Sequence, residues 1–337
     1  MLLPDLIRRY VRGGHALGRT LVLADIARAM RSEFLYAAVD SGLLDALRAP
    51  RTRAELISGL RALDTSLLDA LLAQGVALRE LRRSGERFAL RGRRSRALIG
   101  PAGDPSAALL AEVATYHNSV YTQLADRIRG APRGDYLEQT GELVARSSRI
   151  GEPLAGAFLA HALRRVRPKA VLDVGCGSGT YLRQAVRRRG ATGVGVEMSE
   201  GAAEHARQNV RDWGLDDRIR IVCGDIREQS ADLGGPFDLV LLFQNLYYFQ
   251  PDEVAPLFAH LRSLVAPRGK LAIVCAFRGH GRLAAEIDVI LRSTEGNAPL
   301  PDLDPTVAAL TASGFDAGRP KRIVPFEPVY GILARAA

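Results

Sequence analysis

Ala170-Val171-Leu172-Asp173-Val174-Gly175-Cys176-Gly177-Ser178-Gly179-Thr180 reads as a buried apolar strand that ends in Asp and runs into three closely spaced glycines. Glycines tolerate positive φ and close backbone approach, and a helix starting just beyond them offers unpaired N–H donors. Such a turn can receive a polar ligand at the carboxyl end of the strand. The glycine spacing narrows the choice of ligand. A dinucleotide turn reads G-x-G-x-x-G, with a pyrophosphate on the helix N-terminus. Here Gly179 follows Gly177 by two positions, and Thr180 stands where that pattern wants Gly.

Downstream segments repeat the strand-then-acid theme. Gly193-Val194-Gly195-Val196-Glu197 reads as a second strand, and Glu197 falls 22 residues after Gly175, where a carboxylate can accept both ribose hydroxyl protons. Residues 220–226 read as a third strand ending in Asp225, residues 237–243 as a fourth, and residues 269–275 as a fifth, entered through the turn Pro267-Arg268-Gly269. Together these motifs resemble the class I S-adenosylmethionine (SAM) dependent methyltransferases. The resemblance implies an α/β fold, with a Rossmann-like seven-stranded methyltransferase domain and SAM as cofactor. It places Asp173 and the backbone of Gly175, Cys176, Gly177 and Gly179 around the methionine part, and Glu197 on the ribose. Met198 then packs on adenine, Asp225 and Ile226 meet its amino edge, and Phe243 and Gln244 lie near the sulfonium, where an aromatic face holds positive charge favourably.

The N-terminal third has a different texture, reading as short helices and then a small hairpin. Phe34, Leu35, Ala38, Val39 and Leu43 recur at helical spacing until Gly42 interrupts, and Thr52 with Glu55 forms a capping box for a helix through Leu60. Thr65 or Ser66 can start the next helix, and residues 78–81 and 87–90 flank Ser84-Gly85-Glu86 as a hairpin. This order resembles the winged-helix domain of bacterial and plant small-molecule O-methyltransferases. It implies residues 1–100 as a winged-helix dimerisation domain, 101–165 as a helical connector lining the substrate pocket, and 166–337 as the SAM-binding domain. A homodimer would use apolar helices such as the one around Phe34. The arginines at 79, 82, 83, 87, 91, 93, 94 and 96, diluted by Glu80 and Glu86, would be a solvated wing. The connector is interrupted at Ala131-Pro132-Arg133-Gly134 and Gly151-Glu152-Pro153, and residues 319–327 and 329–334 read as a terminal strand pair.

Composition limits the alternatives. A chain of 337 residues allows two domains, each with enough apolar content for a core. Cys176, Cys223 and Cys275 show no metal-binding spacing, so no metal site is expected and a reduced cytoplasmic protein is the simple inference. Residues 1–10 lack a signal-peptide core, and no run approaches the roughly 20 apolar residues of a membrane span. The net charge of +9 comes almost wholly from arginine, with only three lysines, alongside abundant Ala and Gly. That pattern fits a high-GC genome better than a phosphate-binding surface, so nucleic acid is not the expected partner.

The acceptor side departs from the family. Where the O-methyltransferases carry Lys-His-Val-Leu-His-Asp-Trp, this chain has Phe243-Gln244-Asn245-Leu246-Tyr247-Tyr248-Phe249, which puts Tyr247 in the place of the basic histidine. The Gly-Arg-Glu-Arg segment that orients that histidine is replaced by Gly296-Asn297-Ala298-Pro299. An ordinary Tyr, with a pKa of about 10, is a poor base near neutrality. Positioning therefore dominates the expected mechanism, with Tyr247 or His117 as the candidate proton acceptor and Tyr116, Tyr121, Asn245 and Tyr248 as candidate substrate contacts. A plain packing role for the patch Tyr116-His117-Asn118-Ser119-Val120-Tyr121 stays open. Arg149, Phe158, Arg278 and Glu286 read as structural first. The expected substrate is a small aromatic or polyketide-like molecule, with O-methylation favoured and N- or C-methylation open. Two other readings remain: a nucleic-acid methyltransferase using the arginine wing, though no Asn/Asp-Pro-Pro-Tyr motif follows strand four, and a non-catalytic winged-helix sensor of SAM.

Overall fold

The computed structural model describes residues 15–228 and 233–337; the segment 1–10 read above lies outside them. The chain divides into two compact units, Met1–Asn118 and Ser119–Ala337, so the expected connector at 101–165 is shared between them.

The first unit opens with a 25-residue helix, α1 (Ala16–Asp40), not with the short helices expected. Gly42, at φ 74°, supplies the left-handed residue that ends it before α2 (Leu43–Ala46). Next come β1 (Arg51–Thr52), α3 (Arg53–Leu60) and α4 (Thr65–Ala77). The capping box forms, with Glu55 N donating to Thr52 Oγ1 at 3.2 Å and Thr52 N to Glu55 Oε2 at 2.6 Å. α4 is capped by Asp64, whose carboxylate accepts from Leu67 N, and not by Thr65 or Ser66. The hairpin is β2 (Leu81–Ser84) and β3 (Arg87–Leu90), turning on Gly85-Glu86. Its first arm starts three residues later than expected, because Leu78, Arg79 and Glu80 spend their N–H groups on carbonyls of α4. β1 pairs with β3 to make a three-stranded sheet, followed by α5 (Arg93–Ala97), α6 (Gly100–Glu112) and a π-helical turn, Val113–His117.

Phe34 is 1 % exposed and belongs to the unit's own core with Leu35, Leu43, Leu72 and Leu81. One expectation about this unit fails. Glu80 is buried too, within 4 Å of guanidinium nitrogens of Arg31 and Arg94, and its carboxylate accepts from Ser95 N. It is an internal anchor for the arginine-rich segment, where the sequence suggested a surface diluent.

The second unit begins with α7 (Asn118–Ile128), α8 (Leu137–Ser148) and α9 (Glu152–Val166), separated at the two interruptions the glycines and prolines marked. Then β4 (Ala170–Val174), α10 (Thr180–Arg189), β5 (Thr192–Glu197), α11 (Glu200–Asp212), β6 (Ile219–Cys223) and β7 (Phe237–Phe243) alternate. The chain ends with α12 (Val254–Leu264), β8 (Val265–Ala276), α13 (Arg282–Ser293), α14 (Leu303–Ala312), β9 (Phe315–Ala317), β10 (Lys321–Arg322) and β11 (Val329–Ala336).

The sheet order is β10-β11-β8-β7-β4-β5-β6, with β9 also pairing β11. It has eight strands where seven were expected. β11 is long enough to hold β10 along Gly331 and Tyr330 and β9 along its last three residues. The third strand stops at Cys223, leaving Asp225 and Ile226 in the loop beyond. β8 starts at Val265, and Pro267-Arg268-Gly269 forms an irregularity inside it, where the register against β7 slips. Of the terminal segment 319–327, only Lys321–Arg322 is strand.

Alternation splits the apolar residues between the two faces. Leu172, Val174, Val240 and Leu242 pack with α12, while Val171, Leu239, Leu241 and Phe243 pack with α9 and α10. Each such side chain contributes roughly 1.5–3 kcal/mol by leaving water. β4 lies between β5 and β7 and runs parallel to both. The connection leaving β4 goes to one side and the later return fills the other, so a crevice opens at the carboxyl ends of β4 and β7. No helix among the described residues is long and apolar enough to cross a membrane.

Candidate cofactor and acceptor site

The glycine turn fills that crevice, with Gly175, Gly177 and Gly179 at φ of 65°, 50° and 77°. These left-handed values are strained for any residue with a Cβ. Gly175 also has no room, since a Cβ there would stand 2.5 Å from Asn245 Nδ2. The turn is lashed to β5: Gly175 N and Cys176 N donate to Val196 O at 2.8 and 3.1 Å, and Gly177 N donates to Glu197 Oε2 at 3.0 Å. Glu197 Oε1 accepts from Ser199 N at 3.1 Å. One carboxylate thus sets the loop and presents its remaining lone pairs at the end of the strand.

Asp173 is 1 % exposed, and its Oδ2 has no hydrogen-bond partner. Burial, with the carboxylate of Glu197 pushing the same way, raises its pKa to about 8. Beside it, Asn245 donates from Nδ2 to Val174 O, which fixes the amide's orientation, while its Oδ1 is buried without a partner. Phe243 is buried and meets the edge of Tyr181, ring centroids 5.0 Å apart. Gln244 adopts φ 56° as β7 ends and donates its N–H to Val274 O. Burial pushes the Cys176 thiol well above its ordinary range, so it stays protonated. Met198 is 69 % exposed and open to a ligand, not packed in the core.

Several residues here escaped the sequence reading. Trp213, the chain's single tryptophan, stands 3.6 Å from where a Gly179 Cβ would be, and Arg183 lies over its ring at 4.6 Å. Asn209 donates to Ser178 O at 3.1 Å, so α11 braces the turn from outside. Tyr181 and Arg227 were discoverable only as neighbours of Thr180 and Asp225.

On the acceptor side, Asn245, Tyr247 and Tyr248 share one turn, with Tyr248 N donating to Asn245 O at 3.1 Å and the two tyrosine rings 5.0 Å apart. Ala298 N donates to Tyr247 O at 2.9 Å, which puts the segment replacing the family's orienting Glu against Tyr247. Asn297 is the side chain available there. Tyr116 and His117 belong to the first unit, where His117 Nε2 lies 3.2 Å from Glu112 Oε1 and the Tyr116 ring meets it edge-on. Tyr121 belongs to the second unit, and burial, with Glu286 adding to it, raises its pKa. Phe158 is core, packed under Gly331, while Arg278 pairs with Asp302 and Arg149 with Glu152. Among the described residues no cluster of His, Cys, Asp or Glu could hold a metal ion.

A turn of glycines under positive φ, a carboxylate at the next strand end and an orphaned buried acid fit SAM, a cationic cofactor without phosphate. Residues 171–269 match the family model described as a methyltransferase domain. This stretch is a methyltransferase domain. The release factor glutamine methyltransferase of Chlorobaculum tepidum is 36% identical over 137 residues, 36% of this chain and 46% of that protein, so the chain spans less than half of that relative. The demethylspheroidene O-methyltransferase of Cereibacter sphaeroides is 25% identical over 286 residues, covering 79% of this chain and 73% of the relative. The solved structure of the mitomycin 7-O-methyltransferase MmcR is similar with a TM-score of 0.80 at 21% identity, over 97% of this chain and 100% of that one. These likenesses place the methyltransferase domain within a two-part fold, helices first and the mixed sheet second.

Proposed function

We propose that this chain methylates a small molecule, with SAM held by Asp173, Gly175, Cys176, Gly177, Gly179, Glu197, Met198, Asp225, Ile226, Phe243 and Gln244. The observation that carries the reading is the bond from Gly177 N to Glu197 Oε2, which joins the glycine turn and the ribose-binding carboxylate into one preformed cradle. When bound, SAM supplies an electrophilic methyl group on a sulfonium. The chain's task is then to orient the acceptor atom in line with that methyl group and to exclude water. Incubating the purified chain with methyl-labelled SAM and a panel of phenols, amines and activated carbons tests the reading. No labelled product from any class would favour the SAM-sensing alternative.

Asn245, Tyr116, Tyr121 and Tyr248 are the proposed acceptor contacts, with Tyr247 and His117 nearest to a catalytic role. An ordinary tyrosine is a poor base near neutrality, so Tyr247 shapes the pocket and hydrogen-bonds the acceptor. Tyr247→Phe is expected to lower kcat by less than the 10²-fold that begins the range for general-base catalysis. Measuring kcat against pH for Tyr247→Phe and His117→Ala decides it, because a thousandfold loss confined to Tyr247→Phe would make Tyr247 the base.

The chain is proposed to act as a homodimer, with residues 1–100 as a winged-helix dimerisation domain, 101–165 lining the acceptor pocket and 166–337 binding SAM. Support comes from α1, whose Leu17, Leu21, Val22, Leu23, Ile26 and Met30 are 45–76 % exposed and lie on several sides of the helix. Large apolar side chains gathered in water on one helix mark an interaction surface. Light scattering should therefore give twice the 36.4 kDa chain mass, and Leu21→Glu with Ile26→Glu should halve it. A monomer that binds duplex nucleic acid tightly, with steep salt dependence, would support the nucleic-acid reading. Free cysteines at 176, 223 and 275 suit a reducing compartment, and the cytoplasm is the proposed location.

A further inference from the structure

We infer that Arg227 is a positioning residue that holds Asp225 in place to accept the adenine amino group, and so sets the site's preference for adenine over hypoxanthine. The inference rests on the proposed assignment of Asp225 to adenine. Asp225 lies in the loop two residues past β6, where no strand pairing orients it. Arg227 does so instead. Its backbone N–H donates to Asp225 Oδ1 at 2.9 Å, its Nε reaches Oδ1 and Oδ2 at 3.0 and 2.9 Å, and its Nη2 donates to Oδ2.

The guanidinium is itself restrained. Nη1 donates to Glu253 Oε1, the ring of Phe249 lies beneath it at 5.7 Å, and Glu253 Oε2 accepts from Gln250 N at 2.7 Å. A planar fork bound on two edges and stacked on one face fixes the carboxylate it grips, which a lysine ammonium cannot do. Arg227, 43 % exposed, contributes little stability as an ion pair, so this much organisation points to geometry. These contacts come from three N–H groups, since Nε shares its one hydrogen between both oxygens, against about four lone-pair positions on an ionised carboxylate, and the Asp225 side chain keeps 20 % of its surface open, so an edge remains for one more donor. Arg227 also holds the Asp225 carboxyl below its ordinary range, keeping it an acceptor in mild acid. Adenine presents N–H at that edge. Hypoxanthine presents a carbonyl oxygen, which an anchored carboxylate repels.

Calorimetric titration of the full chain with S-adenosylhomocysteine and with S-inosylhomocysteine tests this. The wild type should prefer the adenosyl compound by at least about tenfold, the scale of a hydrogen bond to a charged group. Arg227→Ala should bring the ratio close to one, chiefly by weakening the adenosyl compound, and Arg227→Lys should fall between. Equal weakening of both compounds in Arg227→Ala, or an unchanged ratio, would overturn the inference, because a merely structural arginine does not distinguish the bases. Asp225→Ala separates the two levels. If it leaves the ratio at the wild-type value, the adenine assignment has failed; if it abolishes the ratio while Arg227→Ala preserves it, only the role of Arg227 has failed.

Discussion

Glu197→Ala is expected to weaken binding of SAM and of its demethylated product by about a hundredfold. The side chain has two tasks in one carboxylate. Its free lone pairs can take both ribose hydroxyl protons, each bond to a charged acceptor contributing roughly 1.5–3 kcal/mol. Its Oε2 also holds Gly177 N, so the alanine variant loosens a turn whose glycines sit at positive φ and which nothing else along β5 binds beyond Val196 O. About 3 kcal/mol in total corresponds to about two powers of ten. Glu197→Gln keeps one carbonyl acceptor and should lose less. Isothermal titration gives the affinity, and Trp213 fluorescence gives an independent signal because the indole packs beside Gly179. Wild-type affinity in Glu197→Ala would remove the cofactor assignment of the whole turn.

The parts of this molecule that were legible in the sequence are those where local chemistry alone forces the structure. Strand β4, the glycine turn and the positions of Glu197 and Asp225 follow from apolar runs that end in residues with special φ or charge. The capping box at Thr52 and the interruption at Gly42 are legible for the same reason. What was hidden depends on partners distant in sequence. Glu80 looks like a surface charge until Arg31, 49 residues earlier, comes within reach of its buried carboxylate. Phe34 has the helical spacing of an interface residue, and only the packing of Leu72 and Leu81 shows that its own unit covers it. The eighth strand, Phe315–Ala317, is three residues long and exists because β11 offers it an edge. In the site, Asn245 reads from sequence as a substrate contact, and its bond to Val174 O, which bridges 71 positions, appears only in the fold. The sequence shows Tyr247 and residues 296–299 standing where the family has its basic histidine and orienting segment, but not that Ala298 N donates to Tyr247 O at 2.9 Å.

Asp173→Asn should stabilise the unliganded protein at pH 8 and destabilise it at pH 4, with the crossover near pH 5. In the folded chain the buried carboxyl titrates at about 8, against an ordinary value of 3.8. Below both values the group is protonated in either state and costs nothing. As pH rises past the unfolded value, the unfolded chain ionises freely while the folded chain must hold a proton, so stability is lost progressively until pH passes the folded value. Roughly four pH units at about 1.36 kcal/mol each put the loss on the order of 5 kcal/mol by pH 8. Asparagine removes this term but buries an amide, which costs about 1–3 kcal/mol where it lacks a partner. The net gain of about 2–4 kcal/mol at pH 8 corresponds to a rise in Tm of roughly 5–10 °C for a unit of this size. The same exchange should weaken SAM more than its demethylated product, since the sulfonium is the cation that a buried carboxylate beside the turn can stabilise. That acid would then be a functional group held at the expense of stability. Scanning calorimetry from pH 4 to 8 and titration with both ligands read the two effects separately. A stability change that is flat with pH would mean Asp173 is not the buried ionisable group described here, and equal weakening of both ligands would mean that it does not face the sulfonium.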